Sequence, residues 1–158
     1  MGICDGSSGA NLLIEYSDDP SLDWDDAGHT WNDVRDAVGT LTPSGGDKQA
    51  GSFQTFNGVE TGLSKSGLKN IALNVVFRNA ANSFLEFLTD TWDETSPPCF
   101  WLRWSYNGGA VGALRRTAKI ALLTNPFTGG AAGDGNPVTK SLTFVIDGDV
   151  YRDAVPSP

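Results

Sequence analysis

The hydrophobic pattern changes its period twice between Gly67 and Asn107. In residues 69–78 apolar and polar side chains alternate, which predicts a strand with one apolar face. In residues 81–92 the apolar positions recur every three to four residues, which predicts an amphipathic helix. Residues 99–106 predict a second strand, rich in aromatic side chains. We therefore expect the helix to pack across a sheet that contains both flanking strands. The alternating apolar residues of the first strand are Ile71, Leu73, Val75 and Phe77.

The start of this helix carries its own signal. Ser83 followed three residues later by Glu86 fits a capping box, in which the hydroxyl accepts a backbone N–H and the carboxylate returns to the cap. Asn82 is a competing N-cap, and Pro97-Pro98 prevents the helix from continuing. The side chains predicted to pack against the sheet are Phe84, Leu85, Leu88 and Trp92.

The rest of the chain predicts further strands within a single domain of 158 residues. A helix is a rival interpretation of residues 113–124, which contain good helix formers. We favour a strand, because residues 107–110 resemble a hairpin tip that would pair 113–124 with 99–106. The total is five to eight strands and one helix. The other predicted strands are 11–16, 30–38, 52–56 and 138–151.

Two segments are too rich in glycine and polar residues to predict regular structure. Residues 39–51 are predicted to form a long loop, with 30–38 and 52–56 as the two strands of the hairpin that it joins. Residues 125–137 predict a second, glycine-rich loop. Loops this long in a compact domain are commonly disordered or functional.

Charge is distributed unequally along the chain. Residues 1–36 contain nine acids and one arginine, whereas residues 37–158 contain ten acids and ten bases. The whole net charge of −8 therefore lies in the first quarter, and a surface built there would repel nucleic acid. Asp23, Asp25 and Asp26 lie close enough together to suggest a calcium site, but we interpret them as part of a solvated acidic loop, because the glycine and distal glutamate of an EF-hand are absent.

Catalytic motifs are weak. Ser66-Gly67-Leu68-Lys69 matches Ser-x-x-Lys without its companion motifs, and His29 has no second histidine with which to bind a metal, so we interpret it as a surface residue. Cys4 and Cys99 are interpreted as free thiols. We see no targeting segment and no apolar run of membrane-spanning length. We expect no enzyme, metal or cofactor.

The order of the predicted elements resembles that of the major tail tube proteins of long-tailed (siphovirus-like) bacteriophages. The resemblance covers residues 50–152, and its best local mark is the final strand that runs into Gly148-Asp149-Val150. It implies a mainly β fold, an antiparallel β-sandwich or partial barrel with one flanking helix at about residues 81–92. It also implies a structural subunit of the virion tail, assembled in the host cytoplasm into stacked hexameric rings through which DNA is ejected.

The resemblance further implies the partners and the surfaces that meet them. The partners would be copies of the same chain, the tape-measure protein, and the tail terminator or distal tail proteins; DNA would pass without specific binding, and no membrane would take part. Because lumens in this family tend to be negative, we expect some of the N-terminal acids to face the lumen. These are Asp18, Asp19, Asp23, Asp25 and Asp26. We expect the 39–51 loop to contact the next ring, with Thr42, Ser44, Asp47 and Lys48 as candidates.

Two alternatives stay open. The chain could be a carbohydrate-binding or capsid-decorating β-sandwich that uses exposed Trp24, Trp31 or Trp101, since aromatic rings stack on sugars. It could also be another ring-forming tail protein, such as a tail terminator.

Overall fold

The computed structural model describes residues 11–47, 49–64, 69–77, 83–93, 99–129, 135 and 137–158. These residues form nine strands and one α-helix, with a short 3₁₀ turn at Asn107–Gly109. In chain order the elements are β1 (Leu13–Ser17), β2 (Asn32–Asp33), β3 (Val38–Gly45), β4 (Gln49–Thr55), β5 (Gly58–Ser64), β6 (Lys69–Val76), α1 (Phe84–Asp93), β7 (Cys99–Ser105), β8 (Leu114–Leu122) and β9 (Thr139–Ala154).

Seven strands form one antiparallel sheet in the order β2-β1-β7-β8-β9-β6-β3, which curls into a half-barrel. Strands β4 and β5 form a separate two-stranded hairpin. The predicted mainly β fold with one helix is confirmed, and its architecture is the partial barrel. Strands β6 and β7, which flank the helix in sequence, both belong to the sheet, as expected.

One face of the half-barrel holds the core. Ile71, Leu73 and Val75 of β6 are buried there with the alternate residues of β7, β8 and β9. Phe77 does not continue this row and is 44% exposed. Strand β6 ends at Val76, where its pairing with β9 also ends. The predicted strand over residues 69–78 was therefore two residues too long.

Helix α1 closes the core. The Oγ atom of Ser83 accepts the backbone N–H of Glu86 at 3.2 Å, so the helix begins at Phe84, later than the predicted residue 81. Residues 81 and 82, including the rival cap Asn82, lie outside the described residues. The structure buries Phe84, Leu85 and Leu88 completely or nearly so, whereas Trp92 is half-buried at the margin of the core.

The prediction of a loop over residues 39–51 is wrong where the structure describes them. Residues 38–45 form β3, which pairs with β6 from Val38↔Val75 to Gly45↔Lys69, and β4 begins at Gln49. The predicted strand 30–38 shrinks to β2 followed by a turn, so it does not pair with 52–56. Strand β3 was not predicted because it is an edge strand with mostly small polar side chains and a proline. Its sequence therefore lacks the alternation of apolar residues by which a strand is recognised.

The preference for a strand over a helix at 113–124 is correct. Strand β8 pairs with β7 from Cys99↔Ala121 to Ser105↔Arg115. The connection uses positive φ at Asn107, Gly108 and Gly109. A Cβ atom on Gly109 would lie only 2.5 Å from Cδ2 of Leu13, so this close approach requires glycine.

Candidate assembly surfaces

The face of the sheet opposite the core and the helix is divided into two halves. Over β1, β7 and the second half of β9 it is contacted by residues 18–31, which we call the acidic loop. Over β3, β6 and the first half of β9 it is open, and its side chains are mostly hydroxyls and amides. We call this half the hydroxyl face; it comprises Thr40, Thr42, Ser44, Asn70, Asn74, Ser141 and Thr143.

Aromatic side chains hold the acidic loop against the sheet. The indole N–H of Trp101 donates to the carbonyl of Leu22 at 3.1 Å. Trp24 stacks on Tyr151 of β9 with ring centroids 5.0 Å apart and an interplanar angle of 3°. Both contacts join the loop to strands that are distant in sequence, so together they fix the position of the loop on the sheet.

His29, which is partly exposed, also has a structural part in this loop that the sequence did not suggest. Its Nε2 lies 2.7 Å from the carbonyl oxygen of Asp23, and its Nδ1 lies 2.7 Å from Oγ of the fully buried Ser17. A carbonyl can only accept, so Nε2 carries the proton, and in the neutral ring Nδ1 accepts from the Ser17 hydroxyl. His29 thus links the far end of the loop to β1.

The structure gathers the five acids proposed for the lumen into this one loop. Asp18, Asp23, Asp25 and Asp26 are exposed, and Asp19 is partly covered. Asp19 Oδ1 accepts the hydroxyl and the backbone N–H of Ser21, which lowers the pKa of Asp19. Asp26 Oδ1 accepts the backbone N–H of Gly28 at 2.7 Å. Two of the five acids therefore also shape turns.

The three ion pairs found among the described residues use other acids. Arg103 Nε donates to Glu15 Oε1 at 2.9 Å, with both side chains less than a fifth exposed. Arg115 forms a two-pronged pair with Asp153 across β8 and β9, which raises the pKa of Arg115. Arg35 pairs with Asp33 at the surface. None of these three pairs uses an acid of the acidic loop.

The tryptophans are used for packing. Trp101 is 6% exposed, and the guanidinium carbon of Arg103 lies 4.0 Å from the ring centroid of Trp31. Trp24 has one face covered by Tyr151. A sugar-binding platform needs accessible ring faces, so these contacts weigh against the carbohydrate-binding alternative.

The β4–β5 hairpin carries exposed apolar side chains. Phe53 is 73% exposed, Val59 is 60% exposed, and Phe56 in the turn is fully exposed. Phe53 pairs with Glu60 and Val59 with Gln54, so the two apolar side chains of the strands lie on opposite faces. The sequence pattern predicted no role for these side chains. The one sign that they are unusual is that Phe56 breaks the alternation of apolar and polar residues that Phe53 begins.

The candidates for ring contacts are located differently from the prediction. Thr42 and Ser44 lie exposed on β3, within the hydroxyl face, and Asp47 is exposed just after that strand. Lys48 lies outside the described residues, as do Ser66 and Cys4. Burial, and secondarily the charge of Asp147, raises the pKa of the free Cys99 thiol, which disfavours a reactive thiolate there.

In the part of the chain that the structure describes, no group of three or more histidine, cysteine or carboxylate side chains is placed to hold a metal ion. None of the described helices is long and apolar enough to cross a membrane.

This chain is similar to known proteins in its structure. No protein-family model and no curated protein matches the sequence. The fold matches a chain of the sheath–tube complex of an extracellular contractile injection system, PVC, in the extended state, with TM-score 0.60, 11% identity, and 97% of this chain and 95% of that chain covered. It also matches a chain of the PVC sheath/tube terminator, with TM-score 0.58, 10% identity and coverage of 97% and 100%.

A third match comes from a gene transfer agent. It is a chain of the tail of the empty particle, refined as a helix with C6 symmetry, with TM-score 0.55, 14% identity and coverage of 94% and 100%. At these identities the likeness is one of fold. It extends over nearly the whole chain, so the half-barrel with its helix is shared as a unit.

Proposed function

We propose that this chain is a structural subunit of a phage-like tail tube, and not an enzyme, and that it assembles into stacked hexameric rings which conduct DNA. The observation that carries the proposal is the match of the whole fold, from end to end, to chains of sheath–tube, terminator and tail assemblies. A siphovirus-like tail, a tape-measure protein in the lumen, and terminator and distal tail proteins at the tube ends belong to the same proposal.

The open edges of the sheet support ring formation. Within the described ranges strand β3 pairs with β6 alone, and β2 covers just two residues of β1, so in this part of the chain both edges of the half-barrel carry backbone groups without a strand partner. Exposed edges favour pairing with another chain. A closed ring in which one edge of each subunit meets the other edge of its neighbour would satisfy them all.

The face of the sheet opposite the core is the one suited to line the lumen. The other face is covered by α1 and the core, whereas this face carries the acidic loop and the hydroxyl face. We propose that Asp18, Asp19, Asp23, Asp25 and Asp26 face the channel beside these neutral polar residues. The negative charge would repel the phosphate backbone of DNA and so keep it from binding to the channel. The hydroxyl groups would provide a hydrated, uncharged surface.

The matching terminator chain keeps a second function open, that of a ring that caps a tube. The two functions differ in whether rings continue to stack.

Size-exclusion chromatography and negative-stain microscopy of the purified full chain at high concentration test the proposal. A tube subunit should give six-fold rings and hollow tubes, and a terminator should give single rings. A monomer that persists at every concentration would refute both and would return weight to a binding module.

A further inference from the structure

Two arginines face each other across neighbouring strands of the sheet. Arg116 of β8 and Arg152 of β9 are direct partners in the register, which places their Cβ atoms about 5 Å apart. Like charges in this position repel each other and destabilise the strand pair. The adjacent partners Arg115 and Asp153 have opposite charges and form an ion pair. Among the described residues, neither Arg116 nor Arg152 belongs to an ion pair.

We call Arg116 and Arg152 the arginine pair, and it lies on the same side of the sheet as α1. Arg116 is two residues from the fully buried Ala118, and Trp104, its partner on β7, belongs to the core. The arginine pair itself reaches solvent, because Arg116 is half-buried and Arg152 is exposed. It is therefore suited to bind carboxylates, since each guanidinium group can donate two parallel hydrogen bonds to one of them.

Helix α1 carries an uncompensated charge of the opposite sign. Glu86, Asp90 and Asp93 are exposed and are spaced by four and three residues, so they lie along one face of the helix. We call them the helix acids. Like charges at this spacing destabilise a helix, α1 contains no base, and Asp93 in the last turn opposes the helix dipole. The arginine pair and the helix acids thus both cost stability in an isolated subunit, and a contact between them would relieve both.

The arginine pair and the helix acids lie towards different ends of the subunit. Helix α1 lies near the end of the sheet where β1 finishes and β7 begins, because the ring centroid of Phe87 is 4.4 Å from that of Tyr16 and 5.3 Å from that of Phe100. The arginine pair lies near the other end, where β8 begins and β9 finishes. A second copy displaced along the strand direction would therefore bring its helix acids towards the arginine pair of the first.

We propose that the arginine pair of one copy binds the helix acids of a second copy. The charges of the two surfaces are opposite, and both surfaces lie on the same side of the subunit. Because the two surfaces differ, the contact joins copies head to tail and repeats without closing. The inference rests on the proposed function, in which this contact gives successive rings a fixed direction along the tube.

A charge exchange with a matched control tests this contact. Arg152→Glu and Asp90→Arg should each raise the concentration needed for association, followed by sedimentation velocity, by about three- to tenfold. The double variant Arg152→Glu/Asp90→Arg should return this concentration to near that of the wild type. Arg152→Glu/Asp25→Arg has the same net charge but places the new arginine in the acidic loop, so it should not recover. Equal association of the two double variants would overturn the proposal.

A neutral variant separates binding from a role in stability. Arg152→Gln removes the repulsion within the arginine pair, so the melting temperature of the unassociated subunit should rise by about 1–2 °C. Association of the same variant should weaken, because one of the two cations that bind the helix acids is lost. A lower melting temperature together with unchanged association would show that Arg152 serves the fold alone, and would overturn the proposal.

Cross-linking separates this inference from the proposed function. In a Cys4→Ser/Cys99→Ser background, Ala154→Cys lies beside the arginine pair and Thr89→Cys lies among the helix acids, so neither change removes a charge of the contact. Mixing these two chains should give a covalent dimer under mild oxidation, and Asp25→Cys in place of Thr89→Cys should give much less.

The two proposals then fail in different ways. If the first pair links although no rings form, the contact stands and the ring proposal falls. If the control pair links as well as the first, the contact is wrong even where tubes assemble.

Discussion

The seven-stranded sheet and the β4–β5 hairpin use apolar residues in opposite ways. In the sheet, Leu73, Leu88 and Phe144 are almost completely removed from water by strands and helix of the same chain. In the hairpin, Phe53 and Phe56 are left in solvent. In an isolated subunit the hydrophobic effect stabilises the fold only through the buried side chains. The difference indicates that the sheet stabilises the isolated subunit, and that the apolar side chains of the hairpin remain available for contact with another chain.

The largest effect on stability should come from the core. Leu88→Ala removes a side chain with no solvent exposure and leaves a cavity between α1 and the sheet. We expect the free energy of unfolding to fall by roughly 2–5 kcal/mol, measured by urea denaturation followed by tryptophan fluorescence. A loss below about 1 kcal/mol would mean that α1 is not packed as described.

The contrasting change is Phe56→Ala at the tip of the hairpin. It removes more apolar volume than Leu88→Ala but no buried surface, so the free energy of unfolding of the subunit should stay within about 0.5 kcal/mol. Association, followed by sedimentation velocity, should weaken. Gln54→Ala, an exposed polar position of the same hairpin, is the control and should leave both quantities unchanged. A large destabilisation by Phe56→Ala would refute the separation of the two roles.

A smaller effect should come from the start of the helix. Ser83→Ala removes the oxygen that accepts the N–H of Glu86 and should lower the free energy of unfolding by about 1 kcal/mol. Ser83→Asp keeps an acceptor and should restore most of this loss, as judged by thermal unfolding. If Ser83→Ala were neutral, the residues before 84 would have to supply another cap.

The smallest effect concerns the acidic loop. Hydrogen bonds from Ser21 lower the pKa of Asp19, so this contribution to stability is present above the unfolded pKa and is lost as pH falls through the folded pKa. Ser21→Ala should move the pKa of Asp19 upward, towards the ordinary aspartate range, in an NMR titration. An unchanged titration of Asp19 would show that the turn does not form in solution.

The strands that were predicted from alternation are those whose burial is largely one-sided. In β6, β8 and β9 one face packs on the core, which imposes an alternation that can be read directly, whereas β7 is buried on both faces and was predicted from its aromatic side chains. The helix was predicted for the same reason, with Ser83 as a local start signal. Strand β3 was missed because its support comes from β6, a long-range partner, and its own side chains are small and polar.

The candidate surfaces were predictable only in part. The acids were recognisable as one cluster because they are adjacent in sequence, and the structure keeps them in one loop. The role of Trp101 and His29 in fixing that loop depends on contacts with Leu22, Ser17 and Asp23 that no local pattern encodes. Contacts to the next ring were predicted for a loop over residues 39–51, but in the structure 38–45 form β3 and β4 begins at Gln49.

Electron microscopy of the wild-type chain and of Phe53→Ser/Phe56→Ser, at equal concentrations, tests the central claim most directly. The account predicts that the wild type forms stacked rings, whereas the variant remains folded, keeps a normal circular dichroism spectrum and does not progress beyond single rings. Tubes of the variant as long and as abundant as those of the wild type would contradict the claim that the hairpin serves association.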